Sequence, residues 1–412
     1  MRTTTVIIGA GQAGLAMSHC LSEFGVDHVV IDRGRVAQRW RSHSWDSLRL
    51  LTPNWMTRLP GFQYDGDNPD GFMSVAEVIA FLERYAVVSG APVLTDTTVS
   101  CVERAGDGFR VTTDRGIWCS DSVVVATGYC DLPFVPVESK RLSQSVTQIV
   151  PADYRRPGQL PPGGVLIVGA SSTGVQLAQE IQRSGRQVTL AVGRHTRLPR
   201  RYRDRDILWW LDRLGVLSQP ANAVQDIEAS RRQPSLQLAG RSDHSTLDLG
   251  VLHAAGVRLV GRVQNIEGMR VSLADDLVSR TAAADIKMAD VLSRIDRFIT
   301  ATGITATPSE PFQPTWPLAR DTPDRLDLDA ERINTVIWAT GYRRAYPWLH
   351  VPVVDRWGEI RHDGGVTPAF GLYVLGLNFQ RRRHSSFIDG VGDDACAIAR
   401  QIATRTAAGR VA

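Results

Sequence analysis

The sequence predicts an α/β protein containing two Rossmann-like dinucleotide-binding units, and three observations carry that prediction. The apolar run Val6-Ile7-Ile8 opens directly into Gly9-Ala10-Gly11-Gln12-Ala13-Gly14, and a helical pattern follows at once. The same arrangement returns at Val165-Leu166-Ile167-Val168-Gly169-Ala170-Ser171-Ser172-Thr173-Gly174. Each helix then meets a glycine stop eleven residues past its last fingerprint glycine, at Gly25 and at Gly185. A lone Gly-x-Gly-x-x-Gly carries little weight. Strand, turn and helix in sequence, twice in one chain, carry a great deal.

In the first unit Gly9 permits the tight turn, Gly11 lets the backbone approach a pyrophosphate, and Gly14 lets helix and strand pack closely. Gln12 and Ala13 open the helix, whose N-terminal N–H groups and partial positive charge favour phosphate. The next apolar run, Val29-Val30-Ile31, ends in Asp32, eighteen residues past Gly14, where an acid can hydrogen-bond a ribose hydroxyl. Residues Trp40 to Pro53 hold two tryptophans and a Thr-Pro stop and read as a long connection, a kind often functional in compact domains. Helical spacing of Val75, Val78, Ile79, Phe81, Leu82 and Tyr85 predicts a helix over 75–89. Short strands are expected at Val93-Leu94, Val99 to Val102 and Phe109 to Thr113. A buried strand then runs from Val123 into Ala126-Thr127-Gly128. Pro161-Pro162-Gly163-Gly164 reads as a domain boundary.

In the second unit Ser171 stands where the first has its middle glycine, and Ser172, Thr173 and Gly174 complete the loop. Its second strand, Val188 to Val192, is followed by Gly193-Arg194 rather than by a carboxylate, with Arg200 and Arg201 close behind. Arginine can fork onto a 2′-phosphate, so these three predict NADPH over NADH. An apolar helix over Ile207 to Leu214, strands at Val257 to Val260 and Met269 to Leu273, and a helix over 284–299 follow. The segment 303–330, with five prolines, reads as an irregular return path. Val336-Ile337-Trp338-Ala339-Thr340-Gly341 repeats the earlier Ala-Thr-Gly strand end, and Leu372 to Leu375 is another buried strand. Gly390-Val391-Gly392-Asp393-Asp394 opens a last helix that could turn its N-terminus toward a cofactor or be an ordinary capped start.

Composition removes several other classes. The formal charge is only +4, lysine occurs only at Lys140 and Lys287, and the arginines are spread along the chain, which argues against a nucleic-acid surface. No apolar run approaches a membrane span, and the first strand begins too early to leave room for a signal peptide. The five cysteines form no short-spaced pair, so they read as reduced thiols, no metal site is expected, and a cytoplasmic protein is predicted.

With these stretches in hand, the whole chain resembles bacterial flavoproteins related to flavin-containing monooxygenases and to the plant auxin-forming flavin monooxygenases. The resemblance runs through Gly9 to Gly14, Trp40 to Pro53, Ala126 to Tyr129, Gly169 to Gly174, Val192 to Trp210, Ala339 to Tyr342 and Gly390 to Asp394. It implies FAD in the first unit and NADPH in the second. It also implies an FAD domain split as 1–158 plus 331–412 around an NADPH domain, 159–330. Cofactor contacts implied beyond the two loops fall on Trp40, Arg41, Trp45, Leu48, Thr52, Val99, Gly341, Gly392 and Asp393. The chain departs from the family pattern in two ways. Gln144, Val146 and Val150 replace the Phe, Gly and His of a motif that aligns on Tyr154. Leu51 stands where many relatives carry an asparagine.

The resemblance implies a monooxygenase that acts through a C4a-(hydro)peroxyflavin on a small molecule, by N- or S-oxygenation or Baeyer–Villiger chemistry. O2 is its co-substrate, with no nucleic-acid or membrane partner, and a homodimer is left open. Trp45, Leu48, Leu51, Asn378, Phe379 and Phe387 are the expected pocket lining. Two rivals share the nucleotide folds. A disulfide reductase needs a close cysteine pair, and the nearest two in sequence, Cys119 and Cys130, are eleven apart. An NADPH oxidase or a non-oxygenating regulatory flavoprotein fits the apolar Leu51 and Val150.

Overall fold

The computed structural model describes residues 1–308 and 322–411. The first sheet contains β1 (Arg2–Ile8), β2 (His28–Ile31), β3 (Val93–Leu94), β4 (Val99–Ala105), β5 (Gly108–Thr113) and β6 (Gly116–Val125) in the order β3-β2-β1-β6-β5-β4. β2 and β6 flank β1, both parallel to it, while β5 and β4 turn back as an antiparallel meander. Val6, Ile7, Val30, Val123 and Val124 are wholly or almost wholly buried, which is why these strands read as continuous apolar runs instead of alternating ones.

The second sheet is wholly parallel. It orders β7 (Thr147–Ile149), β8 (Gly164–Val168), β9 (Val188–Ala191), β10 (Arg258–Val260) and β11 (Ile333–Trp338) as β7-β11-β8-β9-β10. β12 (Leu372–Val374) then returns to the first sheet beside β6. β7 and β11 therefore fall on the second sheet, although the divisions at 158/159 and 330/331 place them in the flanking unit. β7 is three residues between prolines and has no strand signal of its own. β11 ends in Ala-Thr-Gly like β6, and that shared ending does not reveal which sheet each strand joins.

The longer described helices are α1 (Gln12–Glu23), α2 (Val75–Val88), α3 (Ser172–Arg183), α4 (Ile207–Arg213), α5 (Leu277–Thr302) and α6 (Val391–Val411). Ser74 and Glu77 form a reciprocal capping box that starts α2. α5 exceeds its expected span of 284–299, because Leu277 and Thr281 are buried at its start and Gly303, at φ 66°, ends it. The return path 303–330 lies partly outside the described residues. Within it, Arg325–Asp327 is a strand paired antiparallel to Arg270–Leu273, not irregular chain.

Where the chain passes between the sheets, Leu132–Pro133 pairs antiparallel with Tyr342–Arg343. Each segment follows an Ala-Thr-Gly end, so the outgoing and returning crossings brace one another.

Candidate functional site

Both sheets reverse strand order beside their fingerprint strand, β1 between β2 and β6, β8 between β9 and β11. Such a switch point opens a crevice at the carboxyl ends of the strands. The two crevices are closed by corresponding hydrogen bonds. Gly9 N–H donates to Ile31 O at 2.8 Å, and Gly169 N–H to Ala191 O at 3.0 Å. Leu15 N–H donates to Gly11 O at 3.0 Å, and Val175 N–H to Ser171 O at 3.1 Å. The helix caps Gly11 and Ser171 are both extended and neither supplies a side-chain cap, so the first N–H groups of α1 and α3 stay open to an anion.

Space dictates the glycines. A Cβ on Gly9 would lie 2.5 Å from Ala126 O, and one on Gly169 would lie 2.3 Å from Ala339 O. The repeated Ala-Thr-Gly is thus explained: each alanine carbonyl is packed on the first glycine of its own fingerprint, and Gly128 and Gly341 turn the chain away at φ 80° and 94°. Gly14 and Gly174 press on the carbonyls of Gly9 and Gly169, where a Cβ would come within 1.8 and 1.9 Å. Gly11 differs, because a Cβ there meets nothing within 4 Å. The protein leaves that position clear.

Asp32 ends β2 beside the first loop. Its Oδ2 accepts from Ala10 N–H at 2.7 Å and its Oδ1 from Gly34 N–H at 2.9 Å, which fixes a carboxylate at the crevice edge. The chain at 94–97 runs alongside, with Thr97 N–H donating to Asp32 O, and Val99 follows on β4. Thr127 is exposed at the crevice end of β6, and Ala13 is buried under Gly376.

At the end of β9 the chain carries Gly193-Arg194 where β2 is followed by Asp32, and the three arginines expected there divide. Arg194 is exposed just past β9. Arg201 is exposed in a hairpin and donates to Asp204 O at 2.6 Å. Arg200 departs from expectation. It is completely buried, ion-paired through Nη2 and Nε with Asp206, and its Nη1 donates to Leu51 O at 2.7 Å. Desolvation holds its guanidinium below the ordinary arginine range. A cation so committed has no donor fork to offer a 2′-phosphate. Sequence reasoning also missed Gln237, fully buried, whose Nε2 donates to Ala170 O at 2.6 Å. That donor takes the place filled in the first loop by Ala37 N–H, bonded to Ala10 O at 3.1 Å.

Trp40 to Pro53 is a connection stitched to both units. Asp46 N–H donates to Arg155 O at 2.9 Å, and the Ser47 hydroxyl bonds Glu180 on α3. Glu180 also accepts from the Tyr154 hydroxyl at 3.1 Å. Trp45 and Leu48 pack with Ala170 and Ala339, at the second loop. Leu51 and Phe387 join another cluster with Trp209 and Trp210. Trp40 packs on the first core, Arg41 turns away to Glu83, and Thr52 is half-buried. Asn378 Nδ2 donates to Arg231 O at 3.0 Å, while Phe379, at φ 51°, is buried. Val150 packs in a core beneath the second sheet, apart from Leu51, so the two departures from the family pattern do not meet.

At the start of α6, Gly392 packs on Pro60 and Asp393 is exposed and paired with Arg382. The buried acid is its neighbour. Asp394 is 1% exposed, burial raises its carboxyl to about 6, and its Oδ2 has no hydrogen-bond partner among the described residues. Gln380 Nε2 and Ser386 Oγ, in the turn leading to α6, are likewise buried and unpaired. Buried polar atoms left this way call for a partner. The signal was in the sequence: Asp394 shares helical phase with Val391, Ala395 and Ile398, all buried, whereas Asp393 is off that face.

The cysteines hold a second surprise. Cys20 and Cys396 are close in space, with Sγ atoms 2.6 Å apart, although 376 residues separate them. The pair lies about two turns along α1 from its N-terminal end.

Residues 6–214 match the family model for pyridine nucleotide-disulphide oxidoreductases. An uncharacterized oxidoreductase, CzcO-like, from Geobacillus kaustophilus is 31% identical over 393 residues, 95% of either chain. A probable indole-3-pyruvate monooxygenase from Arabidopsis thaliana is 33% identical over 192 residues, 45% of this chain and 46% of that one. Among solved structures, a flavin-containing monooxygenase from Stenotrophomonas maltophilia shares the fold with a TM-score of 0.68 at 21% identity, over 98% of this chain and 99% of the other. Described helices include none long and apolar enough to cross a membrane. Two fingerprint crevices on two sheets, with a relative alike along nearly the whole length, lead to one conclusion: the chain is an oxidoreductase and belongs to the pyridine nucleotide-disulphide oxidoreductase family.

Proposed function

We propose that the first crevice holds FAD, that the second holds NADPH, and that the protein is a flavin-dependent monooxygenase acting on a small molecule with O2. Together the cofactors carry reducing equivalents from NADPH through flavin to O2, so that one oxygen atom reaches a nucleophilic N or S, or enters beside a carbonyl, and the other leaves as water. The observation that carries this reading is the duplicated crevice, with the same glycine contacts and hydrogen bonds in both units. Names of relatives add to it, since the Arabidopsis protein, alike in sequence, is a probable indole-3-pyruvate monooxygenase and the Stenotrophomonas protein, alike in fold, is a flavin-containing monooxygenase.

The residues present fit both groups. The clear position at Gly11 and the open N–H groups of α1 accept a pyrophosphate, and Asp32 offers a fixed carboxylate to a ribose. The unpaired Asp394 Oδ2 suits a polar cofactor edge at the start of α6. In the second crevice Ser171 and Thr173 edge the cradle of α3, and Arg194 is the exposed cation for a 2′-phosphate. Trp45 and Leu48 shield the second loop from water, and Leu51 with Phe387 and Trp209 forms an apolar wall. The FAD-binding unit is then split, leaving and returning through the paired crossings at 132–133 and 342–343.

A second reading, NADPH oxidation with release of hydrogen peroxide, is favoured by the apolar character of Leu51. Both readings are tested by following NADPH consumption across amines, thioethers and ketones while counting peroxide. Consumption that rises with one substrate class as peroxide falls supports the monooxygenase. Equal consumption with every compound, all of it recovered as peroxide, supports the oxidase and overturns the first reading.

A further inference from the structure

α1 and α6 bring their small and apolar faces together, so that Ala13, Ala16, Met17, Ala395, Ile398 and Ala399 share one core. Alanines along both helices let the backbones approach closely. Into this seam each helix sends one cysteine, Cys20 from α1 and Cys396 from α6, with 2.6 Å between their sulfurs. That is closer than separate thiols rest and only a fraction of an ångström beyond a disulfide of about 2.05 Å. Cys20 is 1% exposed, whereas Cys396 is only half-buried.

We propose that Cys20 and Cys396 are a peroxide-sensitive pair that closes to a disulfide and ties the phosphate-facing helix α1 to the C-terminal helix α6. The two sulfurs divide the work by environment. Cys20 is sealed in the seam, where its contact with Cys396 and burial push its thiol up, whereas the partly exposed Cys396 thiol is held below the ordinary range by that contact and by Arg400. Cys396 is therefore the attacking thiolate and Cys20 the resolving thiol. The Cys396 thiolate attacks one oxygen of a hydroperoxide, breaking the O–O bond to leave a sulfenic acid and, after protonation, water or an alcohol. The Cys20 sulfur then displaces the sulfenic oxygen, which departs with the Cys20 proton as water. Two thiols are oxidised by two electrons, and one peroxide is reduced. The pair differs in place from a flavin-facing dithiol of a disulfide reductase, because it lies within the helix seam, away from the loops that form the crevices. Its closure fixes the start of α1, with Gly11, relative to the start of α6, with Asp394.

Purified protein treated with equimolar hydrogen peroxide, alkylated and digested without reduction tests this directly. The expected result is a Cys20–Cys396 linked peptide, loss of two of the five thiols, and Cys101, Cys119 and Cys130 recovered alkylated. Unfolding temperature should rise on oxidation and return with dithiothreitol. Cys20→Ala should abolish the link and leave Cys396 to oxidise further, to the sulfinic acid. Recovery of both Cys20 and Cys396 alkylated from the peroxide-treated wild type, or of oxidised Cys396 with no link, overturns the proposal without reference to any variant.

Discussion

Arg200, in the second unit, donates from Nη1 to the backbone carbonyl of Leu51, in the connection that leaves the first, at 2.7 Å. The guanidinium also stacks 4.6 Å over the Phe72 ring and is paired with Asp206, itself little exposed. One buried cation thus fastens the connection's wall to the second unit. Arg200→Ala leaves a buried carboxylate without its partner, and such losses cost about 3–5 kcal/mol. The expected outcome is a lower unfolding temperature, with kcat/KM falling equally for NADPH and NADH. A loss confined to NADPH would show Arg200 acting on the coenzyme phosphate.

Arg194, exposed past β9, is the proposed partner of that phosphate. The wild type should prefer NADPH by at least about tenfold, equivalent to roughly 1.4 kcal/mol. Arg194→Ala should raise the KM for NADPH, leave that for NADH nearly unchanged, and leave the unfolding temperature as it was. Steady-state kinetics with both coenzymes checks this.

The glycines separate fold from binding. Gly11→Val adds a side chain where the protein has nothing within 4 Å, so the chain should fold and lose its flavin. Gly14→Ala drives a Cβ to within 1.8 Å of Gly9 O, so it should lower the yield of folded protein itself. Circular dichroism with flavin quantitation distinguishes the two. Gly11→Val protein with full flavin content would mean that the phosphate lies elsewhere.

Acid should destabilise the protein through its buried histidines. Desolvation holds His28, His43, His195, His362 and His384 below the ordinary value of 6.5, His362 at about 4. As pH falls below 6.5 the unfolded chain binds these protons first, so stability declines from there toward 4. Asp394 works in the opposite sense. Its carboxyl is raised to about 6, so in the cofactor-free protein it takes up a proton on folding, a contribution present below 3.8 and lost as pH rises through 6. Five imidazoles outweigh one carboxyl. Denaturant titrations across this range should show stability falling with acid, less steeply in His362→Gln and more steeply in Asp394→Asn.

The sequence displays what repeats and what is periodic. Both fingerprints, their helices and the strands β1, β6, β8 and β12 are legible because buried parallel strands are apolar throughout and because tight turns require glycine at set spacings. Asp32 is legible for the same reason, as the residue that ends a strand. Arg200 is not, since an arginine on the surface and one sealed against Asp206 are the same letter until the fold closes. Membership of β7 and β11 in the second sheet is a pairing between distant segments, and no local pattern records it. Nor does any spacing disclose Cys20 beside Cys396, which depends on two helices from opposite ends of the chain sharing one seam.

Anaerobic mixing of the purified protein with NADPH tests whether the two crevices hold FAD and NADPH. The protein should be yellow, with a flavin absorbance that bleaches on mixing with NADPH and returns when O2 is admitted, and with a slower response to NADH. A protein that carries no flavin, or a yellow one whose colour NADPH leaves unchanged, would contradict the assignment of the two crevices to FAD and NADPH.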